Sequence, residues 1–168
     1  MFRHASVVSV LRSRLTNIRI VRQSWDESNV KQAVETLEGL KDYGVWVDLL
    51  RVLNLKPRLV TLEVCGGVLR GVGEVLFEVY EDYIVTACTT IRILAKSFSG
   101  VILETLNSGS FVSPGVDLVR EERVNKCQTC YHQFGELFAQ LTELKRAPGN
   151  VGVAVRDAIR DLGVFGFE

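Results

Sequence analysis

Three prolines in 168 residues, Pro57, Pro114 and Pro148, set the first limit on what this chain can fold into. Proline breaks the intrahelical bond ladder, so its sparse placement leaves long uninterrupted windows for helices. Within those windows the apolar residues recur at steps of three and four, the helical period, and no strand-like alternation survives. The sequence therefore predicts an all-α chain of about seven helices without a flexible interdomain linker.

Val8, Leu11, Leu15 and Ile18 predict an amphipathic helix over 6–23, with Ser6 as its N-cap. Arg12 and Arg19, seven apart, share a side of it away from the apolar stripe. Val30, Val34 and Leu37 mark a second, short helix, with Ser28 as cap and Gly39 near its end. The segment DYGVWVDLLRVLNL is apolar almost all round apart from Asp48 and Arg51, the pattern of a helix sandwiched between others, and Pro57 closes it. Residues 60–79 keep the helical period through Cys65, Val68, Leu69, Val72, Val75, Leu76 and Val79. Gly66, Gly67, Gly71 and Gly73 each cost up to about 1 kcal/mol relative to Ala there, recoverable where a neighbouring helix approaches closely. The GVGEVL run has neither G-K-[ST] nor a third glycine, so it is not a phosphate loop.

Ile84, Cys88, Ile91, Leu94, Phe98 and Ile102 predict a long helix over about 79–106, followed by the loop NSGSFVSPG. Asp117 caps the next helix, Glu121 and Glu122 suit its positive N-terminal end, and it runs to Lys145 before Pro148-Gly149. Val151, Val155, Ile159 and Leu162 predict a last short helix capped by Asn150.

Lysine plus arginine and aspartate plus glutamate both total 20, which leaves no bulk charge to draw nucleic acid or a membrane. The longest charge-free run, 105–116, contains Asn, Gly, Ser and Pro and is no membrane span. Charge is uneven locally: Arg3, Arg12, Arg14, Arg19 and Arg22 precede the first acid, Asp26, which predicts a basic surface at the N-terminal end. This acid-free stretch also has the look of a mitochondrial presequence, whereas Arg12 cuts the apolar run a secretory signal would need.

Cys127 and Cys130 form a C-x-x-C with His132 beyond it. Both cysteines fall on the apolar stripe that continues through Phe134, Leu137, Leu141 and Leu144, where free cysteine acts as a small hydrophobe. A thioredoxin-type pair sits at a helix N-terminus, and this one lies two to three turns in. Tyr131 occupies the histidine position of a haem-attachment motif, and Cys65, Cys88, His4 and His132 lack zinc-ligand spacing. The pair is expected to be core, with a thiol or zinc protein using Cys127, Cys130 and His132 as the alternative. No G-x-S-x-G or H-E-x-x-H occurs, Asp48 is expected to cap or to meet an arginine, and nothing points to an enzyme or a cofactor.

Four segments, LRSRLTNIRIVRQSW (11–25), YGVWVDLLRVLN (43–54), YEDYIVTACTTIRIL (80–94) and VDLVREERVNKCQTCYHQ (116–133), together resemble the C-terminal domain of the regulatory subunits of katanin. The match spans about 8–142. The resemblance implies one armadillo- or HEAT-like helical module over 1–168 that does no chemistry. It implies a heterodimer with the N-terminal helical domain of katanin's microtubule-severing ATPase, microtubule (tubulin) binding, recruitment of minus-end or spindle-pole proteins, and a place at spindle pole, centrosome, basal body or cilium. It also assigns the arginine-rich N-terminus to the domain's first helix rather than to a presequence. The family's WD-repeat propeller is missing from this sequence, as in an excised domain or a short paralogue.

Tubulin's outer surface is acidic, so a binding face should be basic. Arg12, Arg14, Arg19 and Arg22 are one candidate face; Arg120, Arg123 and Lys126, aligned at spacings of three, are a second. The alternative for each is a solvated face, which is favoured for the second, with Glu122–Lys126 a simple i,i+4 pair. Trp25, Tyr43 and Trp46 are candidate anchors for the ATPase, each competing with a place in the core. The rival without microtubules is a helical scaffold of the same fold.

Overall fold

The computed structural model describes residues 2–26, 30–108 and 118–167, with side chains from Ser6 onward. Seven α-helices form among the described residues, with no strand: α1 (Phe2–Gln23), α2 (Lys31–Leu40), α3 (Tyr43–Leu55), α4 (Leu62–Val75), α5 (Glu81–Asn107), α6 (Leu118–Leu144) and α7 (Gly149–Leu162). Short 3-10 turns cover Pro57–Leu59 and Gly163–Phe165. The proposed caps at Ser28 and Asp117 lie outside the described residues.

Local chemistry sets several boundaries. Asp42 is extended and accepts the Val45 N–H at 3.2 Å, which satisfies a first-turn amide and starts α3. Lys41, at φ 50°, ends α2 in the left-handed conformation, so the turn falls two residues past Gly39. Two expected caps are displaced. Ser6 lies inside α1, which already begins at Phe2, and Asn150 lies in the first turn of α7, whose N-cap is Pro148. Proline's fixed φ suits a helix start and needs no amide there.

Each helix packs against its chain neighbour, against the helix two places on, or both. The odd-numbered helices α1, α3, α5 and α7 line one layer, and α2, α4 and α6 the other. Such two-layer stacking is that of helical-repeat folds, as the resemblance implied. The contacts of α4 with α3 and α2 explain Gly71 and Gly67. A Cβ on Gly71 would stand 2.5 Å from the Trp46 ring, and one on Gly67 would stand 2.9 Å from Val34 Cγ1 on α2. Bare glycine lets α4 lie close to both neighbours, and Trp46 is fully buried as a result.

The long α5 is apolar enough to cross a membrane by length and composition, yet it occupies the place of a core helix. It packs against α3, α4, α6 and α7, and Ile91, Ala95 and Ile102 are fully buried. Its polar side is tied to α7: Arg92 Nε donates to Asp161 Oδ2 at 2.8 Å, and Lys96 Nζ lies 3.3 Å from the same oxygen. On α3, Arg51 bridges Asp48 and Asp82 of α5.

Candidate functional site

An amphipathic helix ordinarily turns its apolar stripe inward. Helix α1 does the reverse. Its inner side is held by polar contacts: Arg14 Nη2 donates to Asp48 Oδ2 at 2.9 Å and to the Gly44 carbonyl at 3.0 Å, and Asn17 donates to Asp42 Oδ2 at 2.8 Å. Val21 is the one α1 side chain that is buried among the described residues. Leu11 and Leu15, in the middle of the expected core stripe, remain 59% and 49% exposed, with Val7 and Val10 beside them at 56% and 63%. The acids at 42 and 48 hold the Arg14 side of α1, and two contact faces cannot both point inward. Gly44 permits the fit, since a Cβ there would stand 2.8 Å from Arg14 Cζ.

Beside this outward stripe, α1 and α3 enclose an open groove of about 340 Å³. Ile18, Val21, Trp25, Val45, Leu49 and Val52 line it, with Arg22 and Asp48 at its rim. Leu55, at the end of α3, is 85% exposed. Reading α3 as sandwiched on all sides missed this outer face, although the signal was present. A helix apolar all round, placed beside a helix with its own spare apolar stripe, has more apolar surface than one small domain covers. Contiguous exposed apolar surface of this kind marks an interaction site.

The candidate residues of the first basic face separate. Arg14 is withdrawn from it: its guanidinium is held between α1 and α3, and the hydrogen bond to Asp48 raises its pKa further. Arg12, Arg19 and Arg22 are exposed and have no ion-pair partner among the described residues. They border the stripe and groove. In the second face Lys126 is paired with Glu122 at 2.6 Å, the simple i,i+4 pair, and Arg120 donates to the Ser108 carbonyl at 3.0 Å. Arg123 alone of the three is exposed without a partner among the described residues.

The aromatic candidates separate too. Trp46 lies under Gly71 in the core with no exposed surface, so it cannot anchor a partner. Trp25 is half-buried in the wall of the α1–α3 groove. Tyr43 lines a different hollow of about 520 Å³ on the opposite flank of α1, with Val10, Asn17, Tyr80 and Tyr83.

All four cysteines are free and buried. Burial pushes Cys88 up to about 12. Cys127 and Cys130 face inward as the stripe predicted, while His132 is on the outer side of α6, its side chain 73% exposed and 3.5 Å from Glu136. The thiols and the imidazole therefore do not converge, which removes the thiol–zinc alternative in the form that used all three. Among the described residues no group of three His, Cys, Asp or Glu side chains is placed to hold a metal ion.

Residues 3–162 match the family described as the con80 domain of katanin. The chain is 34% identical over 154 residues to katanin p80 WD40 repeat-containing subunit B1 of Danio rerio, covering 92% of this chain and 22% of that protein. The Gallus gallus protein of the same name is also 34% identical, with 92% and 23% covered. The Arabidopsis thaliana homolog KTN80.2 is 31% identical over 146 residues, with 87% of this chain and 12% of that protein covered. The chain thus spans less than a quarter of the length of these relatives. With a family match running through all seven helices, the chain belongs to the con80 family of katanin domains.

Proposed function

We propose that this chain is a non-catalytic adaptor that pairs with the N-terminal helical domain of the katanin ATPase through the outer face of α1 and the α1–α3 groove. The observation that carries the proposal is the exposed stripe through Leu11 and Leu15, continuous with a groove walled by Trp25, Leu49 and Val52. A partner helix laid along this face would bury aliphatic surface at its centre and leave Arg12, Arg19 and Arg22 at the rim, the anatomy of a stable protein interface. Family membership supports the katanin catalytic subunit as the partner. The relatives carry the WD40 repeats that their name states, and in such proteins this domain would be the part that holds the ATPase.

Promotion of microtubule binding, and targeting to spindle poles, centrosomes, basal bodies or cilia, belong to the same proposal. Arg12, Arg19 and Arg22 are its free cations, with Arg123 a minor second element. Attraction between such cations and acidic tubulin weakens as salt rises.

Co-expression with the N-terminal domain of a katanin catalytic subunit, followed by size-exclusion chromatography with light scattering, tests the pairing. A one-to-one complex is expected, and two separate peaks would reduce the function to that of a helical scaffold. Arg12→Glu with Arg19→Glu should lower co-sedimentation with microtubules most at low salt. Unchanged co-sedimentation would remove the basic face from the account.

A further inference from the structure

Helix α1 has little of its own to keep it helical. Seven of its 22 residues are Val, Ile or Thr, no acid stands in its first turn, and it holds no carboxylate to pair with its arginines along the helix. A lone helix of this length and composition is marginal in water. Its attachment to the body is equally sparse. Val21 is its one buried side chain among the described residues, against nine in α5. The groove of about 340 Å³ undercuts one flank, and the hollow of about 520 Å³ undercuts the other. Between them run the polar ties from Arg14 to Asp48 and the Gly44 carbonyl, and from Asn17 to Asp42. The Arg14 and Asp48 side chains are 33% and 40% exposed, so water and salt weaken that pair.

We propose that α1 is a strap, helical only while it is fastened to α3, which melts away and re-forms as one unit while α3–α7 stay folded. Arg14, Asn17 and Val21 fasten it. A unit with few buried contacts opens far more often than the whole domain unfolds. Once undocked, α1 has neither apolar contact nor ion pairs to keep it helical. Opening carries the stripe through Leu11 and Leu15 away from the groove and splits a face that is continuous when α1 is docked. The chain presents that face only in its fastened fraction, and a partner laid across α1 and α3 draws the helix down and orders it. This use of the strap rests on the proposed ATPase contact; the opening itself does not, and it is measured on the free chain.

The test is native-state hydrogen exchange of the free 168-residue chain, followed amide by amide by NMR. Amides over 11–22 should share one opening and exchange at least roughly a hundredfold faster than the slowest amides of α5. In Gly44→Ala the new methyl would stand 2.8 Å from Arg14 Cζ and push the guanidinium off its partners. That should speed α1 exchange further by roughly fivefold, the worth of one hydrogen bond, and leave the slow amides of α5 unchanged. Amides of α1 as slow as those of α5, or protection that climbs steadily from Leu11 to Arg22 as in simple fraying, would overturn the proposal. Equal α1 rates with and without the methyl at 44 would overturn the fastening assigned to Arg14.

Discussion

Gly71→Ala should destabilise the domain although alanine is the better helix former. In the interior of α4 the exchange would gain about 1 kcal/mol from backbone entropy at an exposed site. Here the new methyl would meet three atoms of the Trp46 ring at 2.5–2.6 Å. That ring has no exposed surface and no room to retreat, so α3 and α4 must separate. Overpacking of a tight core costs roughly 1–3 kcal/mol, occasionally more. With three ring atoms met at 2.5–2.6 Å the upper end applies, which leaves a net loss of about 2 kcal/mol after the propensity gain. For a chain of this length that is a fall in Tm of roughly 4–8 °C, read by calorimetry or circular dichroism. Gly100→Ala is the control, since that glycine is also helical but its Cβ would meet nothing within 4 Å. It should gain stability by up to about 1 kcal/mol. A Gly71→Ala protein that melts at or above the unsubstituted chain would refute the close approach of α3 and α4.

Leu15→Glu, at the half-exposed centre of the α1 stripe, should change Tm by no more than about 2 °C because it removes little buried area. The same change should abolish the complex with the ATPase domain, and a retained complex would place the partner elsewhere. The hydrogen bond from Arg92, opposed by burial and aided by Lys96, holds the Asp161 carboxyl below its ordinary 3.8. A depressed folded-state pKa contributes stability that is full above the unfolded value and lost as pH falls through the folded one. Urea unfolding midpoints should therefore drop below about pH 4 in the unsubstituted chain, and Asp161→Asn should be weaker at pH 7 and flatter below. Equal slopes would show that the Arg92–Asp161 contact does not link α5 and α7 in solution.

What could be read from the sequence divides by the range of the forces involved. The period of Ile84, Cys88, Ile91 and Leu94 depends on neighbours a turn away and is legible in the residues alone. The glycines of α4 were legible as a close approach, although only the fold assigns Gly71 to Trp46 and Gly67 to Val34. The orientation of α1 was not legible. Its apolar stripe predicted one face inward, but Asp42 and Asp48, about 30 residues away, hold the other face through Asn17 and Arg14. The same contacts took Arg14 out of the basic cluster, a loss that counting charges along the chain could not register. Cys127 and Cys130 were legible as core, because the stripe that buries them runs along a single helix.

Hydrogen–deuterium exchange of this chain alone and in complex with the ATPase domain tests the central assignment most directly. New protection is expected on α1 over residues 7–20 and on the outer end of α3 over 49–55, with little change in α6 and α7. Protection confined to α6 and α7, with α1 exchanging as fast in the complex as in the free chain, would contradict it.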